Sequence, residues 1–201
     1  MLSSTRILPE GYIQTYEINL AKNKRLAVLL NIAGLFIFII SFVLLGLFAS
    51  RVRPGLFSGT FIFLVDLSTV WQLLRLLAAA ALTLVAHELI HGFFFWVFTR
   101  SKPVFALHPA YAYAAAPGWF IPTRQYSIIG LSPLVIITAI GLLLIRLAPA
   151  GWILPVILIT ALNIGGAAGD MLVIAGLSRT SSACLVNDAG DRVGFFEPAR
   201  K

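Results

Sequence analysis

Four apolar runs, each long enough to cross a bilayer, decide most of what this chain can become. They occupy residues 26–49, 69–98, 128–147 and 153–177. About 20 mostly apolar residues in a helix span the ~30 Å of hydrocarbon. Backbone amides at that depth find no water, so each run satisfies them internally as a helix. The chain is 59% hydrophobic and 11% charged, where a soluble domain would be about a quarter charged. The expectation is an all-α integral membrane protein of one domain, with about four transmembrane helices. Residues 1–25 read as an N-terminal tail. It has a turn at Leu8-Pro9-Glu10-Gly11-Tyr12 and a loosely alternating, strand-like stretch over 12–20. This tail is polar, and the run that follows outlasts a signal-peptide core, so an uncleaved anchor helix is expected. Residues 178–201 read as a second polar tail.

The segments between spans differ in kind. Residues 55–67 are apolar but too short to cross, as an interfacial loop or strand would be. Thr69-Val70-Trp71-Gln72 fits a capping box opening the second span. Residues 104–123 hold three prolines, Pro103 just precedes them, and they are too apolar for a solvated loop. An extended hairpin or re-entrant segment packed on protein fits them. Arg6, Lys22, Lys24, Arg25, Arg100, Lys102, Arg124, Arg179, Arg192, Arg200 and Lys201 fall on one side of these spans. Arg51, Arg53, Arg75 and Arg146 fall on the other. Positive residues favour the cytoplasmic face, so both termini are expected there, in a multi-pass protein of the cell membrane. The formal charge of +7 then expresses topology and contact with lipid headgroups, not nucleic-acid binding. Cys184 is the sole cysteine, which excludes an intrachain disulfide or a thiolate zinc site.

Within the second span lies His87-Glu88-Leu89-Ile90-His91. Spacing of i and i+4 stacks both imidazoles on one helix face, where their nitrogens can converge on one ion. Glu88 stands beside that face and can reach a metal-bound water without being a ligand. A carboxylate at membrane depth costs about 2.5–3.5 kcal/mol on insertion scales, so it marks function.

A hydrolytic zinc site takes three protein ligands and one open position. Asp170 is the one acidic residue in the spans outside the motif. At 1.5 Å per residue, His91 and Asp170 both lie about 10 Å below the same surface. Gly165 and Gly169 form a small-xxx-small pair that lets Asp170's helix come close. Asn163, seven residues earlier and on the same face, either contacts a substrate carbonyl or oxyanion or makes a packing hydrogen bond. His108 reads as a loop histidine, and Tyr111 and Tyr113 as interfacial aromatics.

The histidine–glutamate motif on an intramembrane helix, followed by Asn163 and Asp170 on a glycine-rich helix, resembles the site-2 protease group of intramembrane metallopeptidases. Four spans and the Leu8-Pro9-Glu10-Gly11-Tyr12 opening look more like the zincin peptidase family of bacterial membrane proteins, a resemblance covering nearly the whole chain. It implies zinc held by His87, His91 and Asp170, with Glu88 as general base. The Leu-Asp-Gly signature of the site-2 proteases is replaced here by Gly169-Asp170-Met171.

The leading expectation is a zinc-dependent, membrane-embedded metallopeptidase. Its partners would be the bilayer and a membrane protein or peptide substrate, cut by Glu88-assisted attack of metal-activated water. The alternative is a metal-binding structural or regulatory membrane protein without turnover. Three histidines are too few for a di-iron hydroxylase. Ser127 and Ser132 lack a histidine partner for serine proteolysis, and four spans without inverted repeats do not suit a transporter.

Overall fold

The computed structural model describes residues 3–56, 67–108 and 111–199, with 67–69 described in backbone alone. Each expected span is helical. Helix α1 runs Lys24–Val52, α2 Leu67–Thr99 and α3 Thr123–Leu147, and the fourth span divides into α4, Ala150–Gly166, and α5, Ala168–Leu177. Among the described residues, four stretches are long and apolar enough to cross a membrane: Lys24–Val52, Val70–Thr99, Thr123–Leu147 and Ala150–Leu177. Their outer faces carry exposed side chains such as Leu29, Phe36, Leu82 and Leu143. A continuous apolar belt of that kind is stable in hydrocarbon and not in water.

The ends of these helices follow local chemistry. The Asn23 side chain accepts the Leu26 N–H and caps α1 at 3.0 Å. Helix α2 begins at Leu67, two residues ahead of the expected cap at Thr69, whose side chain lies outside the described residues. The expected interfacial segment at 55–67 falls mostly outside them too. Helix α2 ends through Arg100, held at a φ of 56° with its N–H on the Trp96 carbonyl, a left-handed exit.

The fourth span was expected to be continuous. It breaks at Ala167, after Gly165 and Gly166, two residues that hold helical geometry poorly. Asp170 therefore stands in the first turn of a new helix.

The all-α expectation needs correction, because the described residues also contain six strands. Strands β2 (Val104–His108) and β3 (Tyr111–Ala115) pair antiparallel as the expected extended hairpin, with Val104 opposite Ala115 and His108 opposite Tyr111. The two chain ends, read above as tails, form a sheet. Strands β1 (Tyr12–Asn19), β4 (Phe120–Pro122), β5 (Leu185–Asp188) and β6 (Arg192–Pro198) assemble in the order β1-β6-β5-β4. The alternation seen over 12–20 is real strand; its partner lies some 180 residues away, beyond the reach of any local pattern.

One face of this sheet is buried on the bundle. Ile18, Ile121, Val186, Val193 and Phe195 join Phe95, Ile129 and Leu177 in one core. A second core of Leu45, Ala49, Ile145, Ile153 and Ile157 joins α1, α3 and α4. The sheet thus closes the end of the bundle where α1 and α3 begin and α2 and α5 finish.

Candidate metal centre

The histidine pair sits on α2, eight residues before its end at Thr99 for His91. The imidazoles of His87 and His91 are 4.9 Å apart, with planes inclined by 73°. Opposite them stands Asp170, in the first turn of α5 just after the break at Ala167. His87 Nε2 lies 3.1 Å from Asp170 Oδ2, and His91 Nε2 lies 3.3 Å from Asp170 Oδ1. The level match inferred from span lengths thus corresponds to direct contact. Both histidines are nearly sealed, at 7% and 6% exposure, while the Asp170 side chain keeps 25%.

What lies behind the imidazoles fixes their protons. His91 Nδ1 is 2.9 Å from the Ile129 carbonyl, which only accepts, so Nδ1 carries the hydrogen. That carbonyl is available because of Pro133, four residues on in α3. Proline has no N–H, so the helical bond that Ile129 would receive cannot form. The Ser132 hydroxyl, at 2.8 Å, and His91 take its place. His87 Nδ1 lies 3.0 Å from Asn163 Oδ1. The other end of that amide, Nδ2, donates to the Pro133 carbonyl at 3.4 Å, which assigns the oxygen to His87. His87 Nδ1 is therefore also a donor.

Both Nε2 lone pairs are left pointing at a carboxylate. Three acceptors in one small space repel unless a cation lies among them. Two imidazoles and one carboxylate, second nitrogens held by outer partners, are the donor set of hydrolytic zinc. Their ligand atoms lie within 4.8 Å of one another, and among the described residues they are the group of His, Cys, Asp or Glu side chains able to hold an ion. The donor set fits zinc.

Helix α5 reaches this position through one close contact. A Cβ on Gly165 would meet the Gly34 carbonyl at 2.6 Å, and one on Gly34 would meet the Gly165 carbonyl at 2.8 Å. Gly165 lets α1 and α4 touch backbone to backbone, as its small-residue pattern implied. Gly169 does not share that contact: nothing stands within 4 Å of its would-be Cβ, and it lines a cavity.

Glu88 is half-buried beside the pair and outside the ligand group. Glu88 and Ala114, on β3, line the same cavity. The hairpin gets this close because Gly92 leaves room for the Phe105 ring against α2. Asn163 is 2% exposed and spends both ends of its amide as described. His108 stacks on Tyr111 and Tyr113 in the hairpin, with centroids 5.0 and 5.9 Å away. Those tyrosines line the cavity beside Glu88.

Sequence reading missed four participants. Ile129 acts through its backbone, and only Pro133 signalled it. Tyr126 and Asp188 hydrogen-bond to each other in the cavity wall, across 62 residues. Asn31 was passed over inside the first span, where a polar residue is itself a signal.

A family model described as "Putative zincin peptidase" matches residues 80–185, just over half of the chain. The matched stretch contains the motif, the hairpin and Asp170; α1 and most of the sheet lie outside it. No curated protein and no solved structure matches the chain.

Proposed function

The chain belongs to the putative zincin peptidase family, and from that premise we propose that it is a zinc-dependent peptidase embedded in the cell membrane. Its substrate is a peptide bond of a membrane or membrane-proximal protein. One observation carries the reading: two imidazole lone pairs and a carboxylate converge, each imidazole with its outer partner in place, next to a glutamate that is not a ligand.

His87, His91 and Asp170 would hold the metal, which when bound supplies Lewis-acid polarisation of a carbonyl and more acidic water. Glu88 takes a proton from the attacking water as its oxygen bonds to the peptide carbon. The C–N bond then breaks, and Glu88 returns the proton to the departing amine. Glu88 and Ala114 border one cavity, so the motif's helix and the hairpin enclose the same space. Strand β3 offers that same stretch of backbone to an extended substrate, which would add as a further strand. Asn163, buried behind His87, serves as a positioning residue: it keeps the proton on Nδ1 and the lone pair on Nε2. The count of basic residues supports a cytoplasmic location for both termini and the sheet.

Zinc content of the detergent-purified protein tests this reading, together with cleavage by Glu88→Gln. Near one zinc per chain, lost in His87→Ala and Asp170→Ala, is expected, with zinc kept and cleavage lost in Glu88→Gln. A wild-type protein that takes up no zinc when supplied with it would refute the proposal. Zinc bound in every variant but no Glu88-dependent cleavage would leave a structural metal protein instead.

A further inference from the structure

Between Arg25 and Ser41, helix α1 offers one side chain that can hydrogen-bond, that of Asn31. A primary amide at membrane depth is costly unless it is partnered. Among the described residues the Asn31 side chain makes no hydrogen bond. It stands seven residues into α1, about 10 Å along the helix axis, the same depth as the metal ligands from the opposite chain direction.

The cavities explain what it faces. One, of about 460 Å³, lies between α1, α5, β3 and the turn from β5 to β6. Another, of about 450 Å³, lies between α1, α2, α4 and the hairpin. They meet at the metal site, and both are lined by Asn31, His87, Glu88, Ala112 and Leu162. Asn31 therefore borders the throat that also contains the general base and the backbone of β3. Its position is rigid, because Gly34, one turn further along α1, is locked against Gly165. Helix α1 packs on α4, and more lightly on α5 and α3, which leaves the Asn31 face toward α2 free to meet a ligand.

We propose that Asn31 is a substrate-binding residue, whose carboxamide grips the peptide backbone of an extended segment lying between α1 and β3. A carboxamide presents a donor and an acceptor side by side, the complement of a peptide group. β3 would hold one edge of the segment and Asn31 the other, with the scissile carbonyl over the site. Recognition of this kind reads backbone and not sequence, and the mostly apolar lining suits a segment drawn from a membrane helix. Substrate helices must unwind first, since a helix keeps its own carbonyls occupied. The inference rests on the peptidase reading and adds the contact that fixes the substrate.

Two zinc-directed probes separate the metal from the peptide contact: acetohydroxamate, which has no peptide group, and a leucyl-leucine hydroxamate, which has one. Asn31→Leu should keep its zinc and bind acetohydroxamate as the wild type does. It should bind the peptidyl hydroxamate roughly ten-fold more weakly, the loss of about one hydrogen bond. Asn31→Gln, which keeps the amide, should recover part of that loss. Equal peptidyl affinity in wild type and Asn31→Leu would overturn the proposal. So would loss of zinc in Asn31→Leu, which would make Asn31 structural. A wild-type dimer in detergent that becomes monomeric in Asn31→Leu, with peptidyl affinity unchanged, would assign the amide to self-association instead. If the wild type holds no zinc and binds neither probe, the peptidase reading itself falls.

Discussion

The two sides of the site are built on opposite principles. On the metal side each imidazole has an outer partner: His87 on Asn163, His91 on Ile129, with Asn163 in turn on Pro133. On the cavity side Asn31 has no partner among the described residues, and Gly166 and Gly169 face open space. A satisfied network resists movement, and an unsatisfied one awaits a ligand. The contrast teaches where the chain spends its packing. Helix contacts through Gly34 and Gly165 and the missing N–H of Pro133 all serve the ligand side, so that the side facing substrate can stay open.

Breaking the metal side should cost most. Asp170→Ala or His91→Ala removes one of three ligands, and zinc content measured after dialysis should fall to background; a variant that keeps full occupancy would displace that residue from the ligand set. Glu88→Gln tests the other side. Zinc content should hold while turnover drops by about 10²–10⁴, the usual worth of a positioned acid–base group. Loss of zinc together with activity would put Glu88 among the ligands and erase the distinction between the two sides.

Smaller effects sharpen the contrast. Asn163→Ala frees the His87 proton and should weaken zinc affinity by roughly 10–100-fold, the common cost of losing an outer partner; competition against a chelator of known affinity measures it. Then come two glycines four residues apart. Gly165→Ala puts a methyl into the Gly34 carbonyl and the Phe38 side chain, and overpacking of this kind costs about 1–3 kcal/mol. Gly169→Ala meets nothing within 4 Å and should leave stability within about 0.5 kcal/mol. Unfolding both variants in the same detergent would reveal the difference, and equal losses would mean that α1 and α4 do not touch as described.

The helices and the ligand level were legible because their signals are local or nearly so. Apolar length defines a span, and i, i+4 spacing defines a face. His91 and Asp170 could be matched in depth because each lies a countable distance from a helix end. The sheet was not legible in full, since β1 must find β6 across the whole chain, and β5 is four residues long. The break at Ala167 was invisible as a break, although Gly165-Gly166 announced a weak point. Ile129 could not be found by its side chain, because its backbone carbonyl does the work. Asn31 and Asp188 were passed over for opposite reasons: one sat in a span read only for length, the other in a segment read as a tail.

Asp188 supplies the finest test of how the sheet joins the site. It ends β5 with 6% exposure, accepting the Tyr126 hydroxyl and, at 2.8 Å, the Gly190 N–H. Burial raises its carboxyl to about 6, although the bonds from Tyr126 and Gly190 pull it down. In the unfolded chain the same group titrates near 3.9. Between about pH 4 and 6 the folded protein therefore keeps a proton that the unfolded chain has released, so this group's contribution favours folding less as pH rises through that window. Below about 4 both states are protonated; above about 6 both are ionised and the penalty of the buried charge is complete. Asp188→Asn removes the titration. For protein stripped of metal with a chelator, the difference in unfolding stability between Asp188→Asn and wild type should shift in the variant's favour from pH 4 to pH 7 and then level off. A difference that stays constant across that range would mean that Asp188 is solvated, and that the sheet rests on the bundle without reaching the cavity wall.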